Sequence, residues 1–559
     1  MFVLSAYLPA MMPFRSWLAL ASLCLPLTAA AQSLSLDKSV AKALDKVKPE
    51  DIKAHIQYLA DDKLRGRQPG TEGYQLAVDY VTRQLKALGV QPAGEKGTYV
   101  QTVRLRRAVV QPEPLLALIE DKKVPTPLRA GQDYVYYPNP EQPRIQQETR
   151  LVFAGYGITA PELKYDDYAG LDVRNRIVVV LRGAPKAFPS TVAAASQDLL
   201  LIMQNAARHG ATGVLVASAN PKAGVPNLSR GVYSVLDDKG RVANSRTYVP
   251  GVGLRLVAAT NLATVQRLLL TAQSDTGKVL PALRSGKPAS LLLQTTARVD
   301  FASTYKDIES YNVVGQLTGS DKALSKEYVV HSAHLDHLGV GAAVKGDSIY
   351  NGAHDNASGV ASVLEIARIY SQIKPRPKRS VLFVLQTGEE LGLLGSAYFA
   401  AHPTVPKDRI VADVNTDMPT IIAPLLSAVP LGAQHSSLMQ PVQRAAKYLD
   451  IAVEDDPEPE QNRFIRSDQY SFVMQGIPAL HIKYGNKTAD GKNNLSELVQ
   501  KWRAETYHKP QDDLNGLFDF EAGKKYVQLN FLIGYQVAND AQRPTWNKGD
   551  FFGTLFGRR

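Results

Sequence analysis

The fold is decided by residues 328–336, which read YVVHSAHLD. The first six residues are an apolar, β-branched run that predicts a buried strand, and His334 and Asp336 follow at once. Similar runs predict strands at 380–386, 410–415 and 477–482. Helical spacing of apolar residues between and after the strands predicts helices at 359–370, 393–401, 435–449 and 520–538. This alternation predicts an α/β domain of three layers (α/β/α), with helices on both faces of a mixed sheet.

The chain has 559 residues, which is too long for one ordinary core, so we expect more than one domain. Residues 46–110 show helical spacing and predict the N-terminal part of the α/β domain, whose main part spans 301–540. Residues 111–300 change to short strand-like runs and predict a mostly β domain inserted between these two parts. Residues 541–559 form a C-terminal tail.

The first 31 residues predict a secretory signal peptide. Arg15 precedes a short apolar stretch, and Ala29 to Ala31 have the small side chains of a cleavage site. A membrane anchor is the alternative, although the stretch is short for a span of roughly 20 residues. Cleavage after Ala31 would leave a periplasmic or secreted protein without membrane attachment. It would also remove Cys24, the only cysteine, so any metal must be held by His, Asp and Glu.

The net charge of +11 raises the question of nucleic-acid binding. However, the Lys and Arg residues are scattered, and the basic clusters at 104–107 and 374–379 are short. The second cluster contains two prolines, which is typical of a solvated loop. We therefore expect no nucleic-acid partner.

Five short segments rich in acidic residues and histidine form a candidate site. Their charged residues are His334, Asp336, Asp355, Glu389, Glu390, Asp417 and His508. All but the last segment follow apolar, β-branched runs, and open α/β sheets bind ligands at the carboxyl ends of their strands. Asp355 also precedes a predicted helix, whose N-terminus favours a carboxylate.

This set of side chains suits two zinc ions, each held by one histidine and two carboxylates if one carboxylate bridges. Two such ions polarise a carbonyl and activate water. Glu389 and Glu390 are adjacent and cannot point the same way, so one can bind metal while the other acts as general base. The alternative ligands in the same region are His331, His337, His354 and Asp468.

The motifs that carry this chemistry also carry a family resemblance. They are SAHLDHLG at 332–339, GAHDNASG at 352–359, GEELGLLGS at 388–396, NTDM at 415–418 and YH at 507–508. With them the chain resembles the co-catalytic zinc aminopeptidases, the family of bacterial leucine aminopeptidase and glutamate carboxypeptidase. Residues 150–220, notably FAGYGI at 153–158, resemble the family's protease-associated insert. LRGR at 64–67 fits the same family.

The resemblance implies a role for each matching residue. His334 and Asp417 would bind one zinc ion, Glu390 and His508 would bind the other, and Asp355 would bridge them. Glu389 would be the general base, and Asp336 would orient His334. The free N-terminus of a peptide substrate would approach one zinc ion.

The chain departs from the family pattern beside Asp468. Family members often have Ser-Asp-His where this chain has Ser-Asp-Gln at 467–469, and a tyrosine that assists the oxyanion is missing just upstream. Arg466 or Tyr484 would then have to help the oxyanion. Asp468, Arg466 and Tyr484 are therefore candidate substrate residues.

We expect a zinc-dependent aminopeptidase that acts on peptides with a free N-terminus. A carboxypeptidase or dipeptidase of the same fold is the main alternative, and it would need a basic pocket, for which Arg463, Arg466 and Lys483 are candidates. A glutaminyl cyclase would not need His334, and a non-catalytic binding ectodomain would not need the full set of ligands. The sequence leaves the oligomeric state open.

Overall fold

The structure is a computed structural model that describes residues 34–120 and 124–557. The predicted signal peptide lies outside these residues. None of the helices in the described ranges combines the length and the apolar character needed to cross a membrane.

The strands follow the chain in this order: β1 (Gln91–Pro92), β2 (Val100–Val110), β3 (Leu115–Glu120), β4 (Thr126–Pro127), β5 (Tyr134–Tyr136), β6 (Arg144–Phe153), β7 (Thr159–Ala160), β8 (Tyr165–Asp166), β9 (Ile177–Arg182), β10 (Gly213–Ser218), β11 (Val232–Leu236), β12 (Val242–Ser245), β13 (Leu256–Thr260), β14 (Leu291–Leu317), β15 (Tyr328–His334), β16 (Gly339–Val344), β17 (Asp347–Tyr350), β18 (Ser380–Gln386), β19 (Ile410–Asn415), β20 (Ser427–Leu431), β21 (Ala452–Val453) and β22 (Ala479–Tyr484).

The α-helices are α1 (Lys38–Asp45), α2 (Pro49–Leu59), α3 (Glu72–Ala87), α4 (Ser190–Ser196), α5 (Leu199–Arg208), α6 (Leu262–Leu270), α7 (Thr276–Arg284), α8 (Ser358–Gln372), α9 (Leu394–Ala401), α10 (Met439–Tyr448), α11 (Gln469–Val473), α12 (Leu495–Thr506), α13 (Phe520–Asn539) and α14 (Phe551–Phe556).

The main sheet is mixed, as predicted. Its centre runs β14–β18–β15–β19–β22–β20, in which β18, β15, β19 and β22 are parallel neighbours and β14 and β20 are antiparallel to theirs. Successive residues of β15 point to opposite faces, and both faces are covered. Val329 belongs to one buried cluster together with residues of α2, α8 and α13, whereas Val330 belongs to another with residues of α9 and α11. The predicted three-layer α/β fold is therefore confirmed.

Most of the predicted elements differ from the observed ones by no more than two residues at either end, and the two largest differences have local causes. The predicted strand at 477–482 begins instead at Ala479, because Pro478 has no N–H for the sheet. The predicted helix at 435–449 begins only at Met439, because residues 433–435 form a separate turn of 3₁₀-helix.

Residues 111–300 contribute a second sheet, in the order β4–β3–β14–β6–β9–β10–β13–β5, together with helices α4 to α7. Two features join this region to the main sheet. Strands β11 and β12 extend the main sheet through β2. Strand β14 belongs to both sheets, since it pairs with β3 and β6 in its first half and with β2 and β18 further on.

The C-terminal tail packs against the main domain. Phe552 of α14 is fully buried, and its ring centroid lies 5.0 Å from that of Phe464 and 4.7 Å from that of His435. His435 also contacts Asp550 of the tail through Nδ1 (2.6 Å) and Thr191 of α4 through Nε2 (2.9 Å). The tail and the region of the second sheet therefore meet at one buried histidine.

Candidate metal centre

The sheet brings the predicted ligands together at the carboxyl ends of its parallel strands. His334 is the last residue of β15, Asp417 follows β19, and Glu389 and Glu390 follow β18. Asp355 lies in the irregular turn before α8, and His508 lies just after α12. The position agrees with the general rule for ligand binding in open α/β sheets.

These side chains form two groups that share Asp355. In the first group, His334 Nε2 lies 3.3 Å from Asp355 Oδ1 and 3.4 Å from Asp417 Oδ1. In the second, His508 Nε2 lies 3.2 Å from Asp355 Oδ2 and 3.3 Å from Glu390 Oε2. The two carboxylate oxygens of Asp355 thus face different groups, which is the arrangement of a bridging ligand.

His337 adds a further nitrogen to the second group. His337 Nδ1 lies 2.7 Å from Glu390 Oε1, yet the two atoms do not have the geometry of a hydrogen bond. His337, Asp355 and Glu390 each place a donor atom within 4.8 Å of the others. The sequence raised His337 only as an alternative ligand, and the structure places it beside the predicted ones.

Several of the donor atoms lie close together without forming hydrogen bonds to one another, which is the arrangement expected around a cation. In the described part of the chain, His334 Nε2 and both ring nitrogens of His337 are buried and make no hydrogen bond. A buried polar atom without a partner is costly, and imidazole nitrogens and carboxylate oxygens that converge on one point are typical of a metal site. Only His508 is well exposed, at 36% of its side chain, so the groups open to solvent on its side.

Asp336 fixes the turn that carries the two glutamates. Its carboxylate is fully buried and accepts hydrogen bonds from the backbone N–H groups of Glu389 (3.1 Å) and Glu390 (3.3 Å). The carboxylate lies 3.9 Å from His334 Nδ1, whereas the backbone carbonyl of Asp336 lies 3.2 Å from that nitrogen. The contact with His334 is therefore made mainly by the Asp336 backbone, and the side chain holds the glutamate turn.

Two residues to which the sequence gave no role position Asp355. Asp512 accepts hydrogen bonds from the backbone N–H groups of His354 (2.9 Å) and Asp355 (3.0 Å). Asn356 donates to the Thr416 carbonyl (3.1 Å) and accepts from the Met418 N–H (3.0 Å), so it joins the turn of Asp355 to the loop of Asp417. Asp512 is four residues from His508, and that proximity was the only signal in the sequence.

Arg67 connects the loop after His334 to the loop before Asp355. Its buried guanidinium donates to the carbonyls of Leu59 (2.5 Å), Leu335 (2.9 Å), Asn351 (2.6 Å) and Gly352 (3.1 Å). Leu335 is next to His334, and Gly352 precedes the turn of Asp355. Burial lowers the pKa of Arg67 to about 10, so it stays charged at neutral pH near Asp336 and Asp355.

Glu389 is only partly accessible to solvent, and its surroundings suit a proton acceptor. Burial, together with the nearby charges of Glu390, Asp417 and Asp468, raises the pKa of Glu389 well above its usual range, although His334 acts in the opposite direction. A carboxylate with a raised pKa holds a proton more readily, which general acid–base chemistry near neutral pH requires.

The other alternative ligands lie outside both groups. His331 is buried, with Nε2 3.3 Å from the Tyr370 hydroxyl, and His354 contacts the Leu517 carbonyl through Nε2 (3.1 Å). Asp468 is fully buried, and neither of its oxygens has a hydrogen-bond partner in the described residues. Burial raises the pKa of Asp468 to about 7.

The candidate substrate residues separate into two kinds. Arg466 lines a small cavity beside Asp417 with a volume of about 40 Å³. Tyr484 is buried, and its hydroxyl donates to Glu458 (2.6 Å), so it is not free to assist an oxyanion. Tyr507 lines the same cavity as Arg466 and stacks on His508 at 3.8 Å. The sequence named Tyr507 as part of the YH motif but gave it no role.

Residues 312–524 match the family model described as Peptidase family M28, and this range contains both candidate metal-binding groups. This part of the chain is similar to peptidase family M28. The sequence resemblance is therefore confirmed, and the M28 region extends from the second half of β14 to the start of α13.

Individual relatives match parts of the chain. Over 123 residues the chain is 36% identical to "Carboxypeptidase Q" from Mus musculus, which is 21% of this chain and 24% of that protein. Over 222 residues it is 27% identical to "probable leucine aminopeptidase 2" from Aspergillus oryzae, covering 37% of this chain and 41% of that one. The matches thus span less than half the length of these relatives.

A solved structure, "Aminopeptidase from Aneurinibacillus sp. strain AM-1", aligns with 91% of this chain and 97% of its own length, at 20% identity and a TM-score of 0.47.

Proposed function

We propose that this protein is a di-zinc aminopeptidase. The observation that carries the proposal is the pair of donor groups sharing Asp355, one with His334 and Asp417 and the other with Glu390 and His508. The match to the M28 peptidase family supports hydrolysis of peptide bonds, and the relatives named as leucine aminopeptidases support removal of N-terminal residues. The secretory signal predicted at residues 1–31 supports a periplasmic or secreted location.

The five ligands would hold two zinc ions. Two bound ions of this kind supply Lewis acidity and lower the pKa of water. Asp336 holds the backbone of Glu389 and Glu390, so that one carboxylate can serve as a ligand while its neighbour stays free. Glu389 would take the proton from the attacking water and deliver it to the leaving amine, and its raised pKa suits both steps.

Metal removal tests the proposal first. Dialysis against a chelator should abolish hydrolysis of leucine p-nitroanilide, added zinc should restore it, and elemental analysis should find two zinc ions per chain. Undiminished hydrolysis after complete metal removal would refute the proposal.

A Glu389→Gln variant tests the role of the base. It should keep both metal ions and lose turnover by roughly 10²-fold or more, because the amide cannot accept the proton. Glu505→Gln is the matched control, since Glu505 is exposed on α12. Equal turnover in the two variants would remove Glu389 from the mechanism.

A carboxypeptidase or dipeptidase activity is the second candidate, because the cavity beside Asp417 is lined by several cationic side chains. Peptides with an acetylated N-terminus separate an aminopeptidase from a carboxypeptidase. An aminopeptidase should reject them, and a carboxypeptidase should cleave them.

A further inference from the structure

A small cationic cavity adjoins the first metal-binding group. We define it by Asp417, Arg463, Arg466, Lys483, Arg503 and Tyr507. Asp417 belongs to both the cavity and the metal centre, and Tyr507 stacks on His508. A substrate held at the metal centre would therefore place one of its substituents in or beside this cavity.

Two of the four cationic side chains already have polar partners within the protein. Arg463 is buried and forms ion pairs with Asp456 and with Glu458, the latter at 3.3 Å. Lys483 is also buried, and its Nζ donates to the carbonyls of Asp417 (2.7 Å) and Met418 (3.2 Å). These two side chains stabilise the wall of the cavity.

Arg466 and Arg503 are the cations left without an anion. In the described residues, neither forms an ion pair with a carboxylate. Both are held by Tyr507: the guanidinium of Arg503 lies 3.7 Å from the ring centroid, and Arg466 Nη2 lies 3.5 Å from the hydroxyl. Two guanidinium groups on one tyrosine repel each other, and an anion between them would remove the repulsion.

We propose that Arg466 and Arg503 bind a carboxylate of the substrate. The planar guanidinium matches a carboxylate in geometry as well as in charge. The carboxylate would be either the acidic side chain of the N-terminal residue or the free C-terminus of a dipeptide. This inference rests on the proposed function and narrows its substrate class to peptides with a negative charge close to the scissile bond.

Matched substrate pairs distinguish the two sources of the carboxylate. Glutamyl p-nitroanilide against glutaminyl p-nitroanilide tests the acidic side chain, and Leu-Gly against Leu-Gly-amide tests the free C-terminus. The zinc-loaded full chain should prefer the charged member of one pair by roughly tenfold in kcat/KM, chiefly through KM. Solvent screening limits the preference, because Arg466 is exposed and Arg503 is half-buried. Equal kcat/KM within both pairs would overturn the inference while leaving the peptidase intact.

Variants identify the residues responsible. Arg466→Gln combined with Arg503→Gln should abolish the preference for the charged substrate, and Arg503→Lys alone should keep part of it. Lys501→Gln is the matched control, because Lys501 is exposed on the same helix and does not line the cavity. A preference that persists in the double variant would refute the assignment.

Binding decides the inference if no substrate is cleaved, a result that would refute the proposed function itself. Calorimetry with Glu-Gly, Gln-Gly, Leu-Gly and Leu-Gly-amide on the zinc-loaded protein then measures carboxylate recognition alone. Tighter binding of the charged member of either pair, lost in the double variant, supports the inference, and equal affinities within both pairs overturn it.

Discussion

Replacing Arg67 by methionine should destabilise the protein severely. The guanidinium donates to four buried carbonyls, those of Leu59, Leu335, Asn351 and Gly352, and methionine would leave them without this donor. An orphaned buried group costs about 1–3 kcal/mol, and loss of a buried cation near carboxylates costs about 3–5 kcal/mol. These effects overlap, so we expect a loss of at least about 4 kcal/mol, against a typical total stability of about 5–15 kcal/mol.

Arg65→Met provides the matched control, because Arg65 lies two residues away in the same turn and is exposed. Urea unfolding monitored by circular dichroism gives the free energy of unfolding of both variants, and zinc content reports on the metal centre. Arg67→Lys should fall between Arg67→Met and the unsubstituted protein, since lysine keeps the charge but has three donors instead of five. If the free energies of unfolding of Arg67→Met and Arg65→Met differ by less than about 1 kcal/mol, the four hydrogen bonds from Arg67 to carbonyls do not stabilise the protein to the expected extent.

Three further predictions concern positions outside the ligand set. Burial lowers the pKa of His331 from 6.5 to about 3. The stability that the neutral His331 side chain contributes is therefore fully present above pH 6.5 and is lost as the pH falls towards 3. The difference in unfolding free energy between the unsubstituted protein and His331→Asn should therefore shrink by roughly 2 kcal/mol from pH 6.5 to pH 5, and a constant difference would contradict this. Asp512→Ala should weaken zinc retention about 10–100-fold in a chelator competition, because the turn of Asp355 loses two hydrogen bonds, whereas Asp513→Ala should not. Phe552→Ala should lower the unfolding free energy by about 3–5 kcal/mol through the cavity it leaves. An unchanged free energy in urea unfolding would show that the tail does not stabilise the protein.

The central strands and the ligand order were predictable because they depend on local sequence. The β-branched run ending at Ala333 forms a strand in almost any α/β context, and a charged residue at its carboxyl end must lie at that edge of the sheet. The same argument placed Asp417 and the pair Glu389–Glu390. Their convergence follows from the sheet once the strands are parallel.

The supporting contacts were not predictable, because they join residues far apart in the chain. Arg67 contacts Gly352 across 285 positions, and Asp512 contacts Asp355 across 157. Neither bond leaves a periodic pattern in the sequence. Tyr484 illustrates the reverse case, since it was a candidate to replace the missing oxyanion tyrosine, whereas its hydroxyl donates to Glu458.

Strand β14 connects the second sheet directly to the turn that carries Glu389. Its last residues pair with β18, which leads to Glu389, and Asn312 accepts a hydrogen bond from the Thr387 N–H (2.9 Å), two residues before Glu389. Any tilt of the second sheet must bend this 27-residue strand, because no flexible linker separates the sheets at this point. The predicted domain boundary at residue 300 lies within β14, so it would divide one continuous strand. The second sheet and the turn of Glu389 are thus mechanically coupled, and a ligand that restricts movement of the second sheet should also restrict this turn.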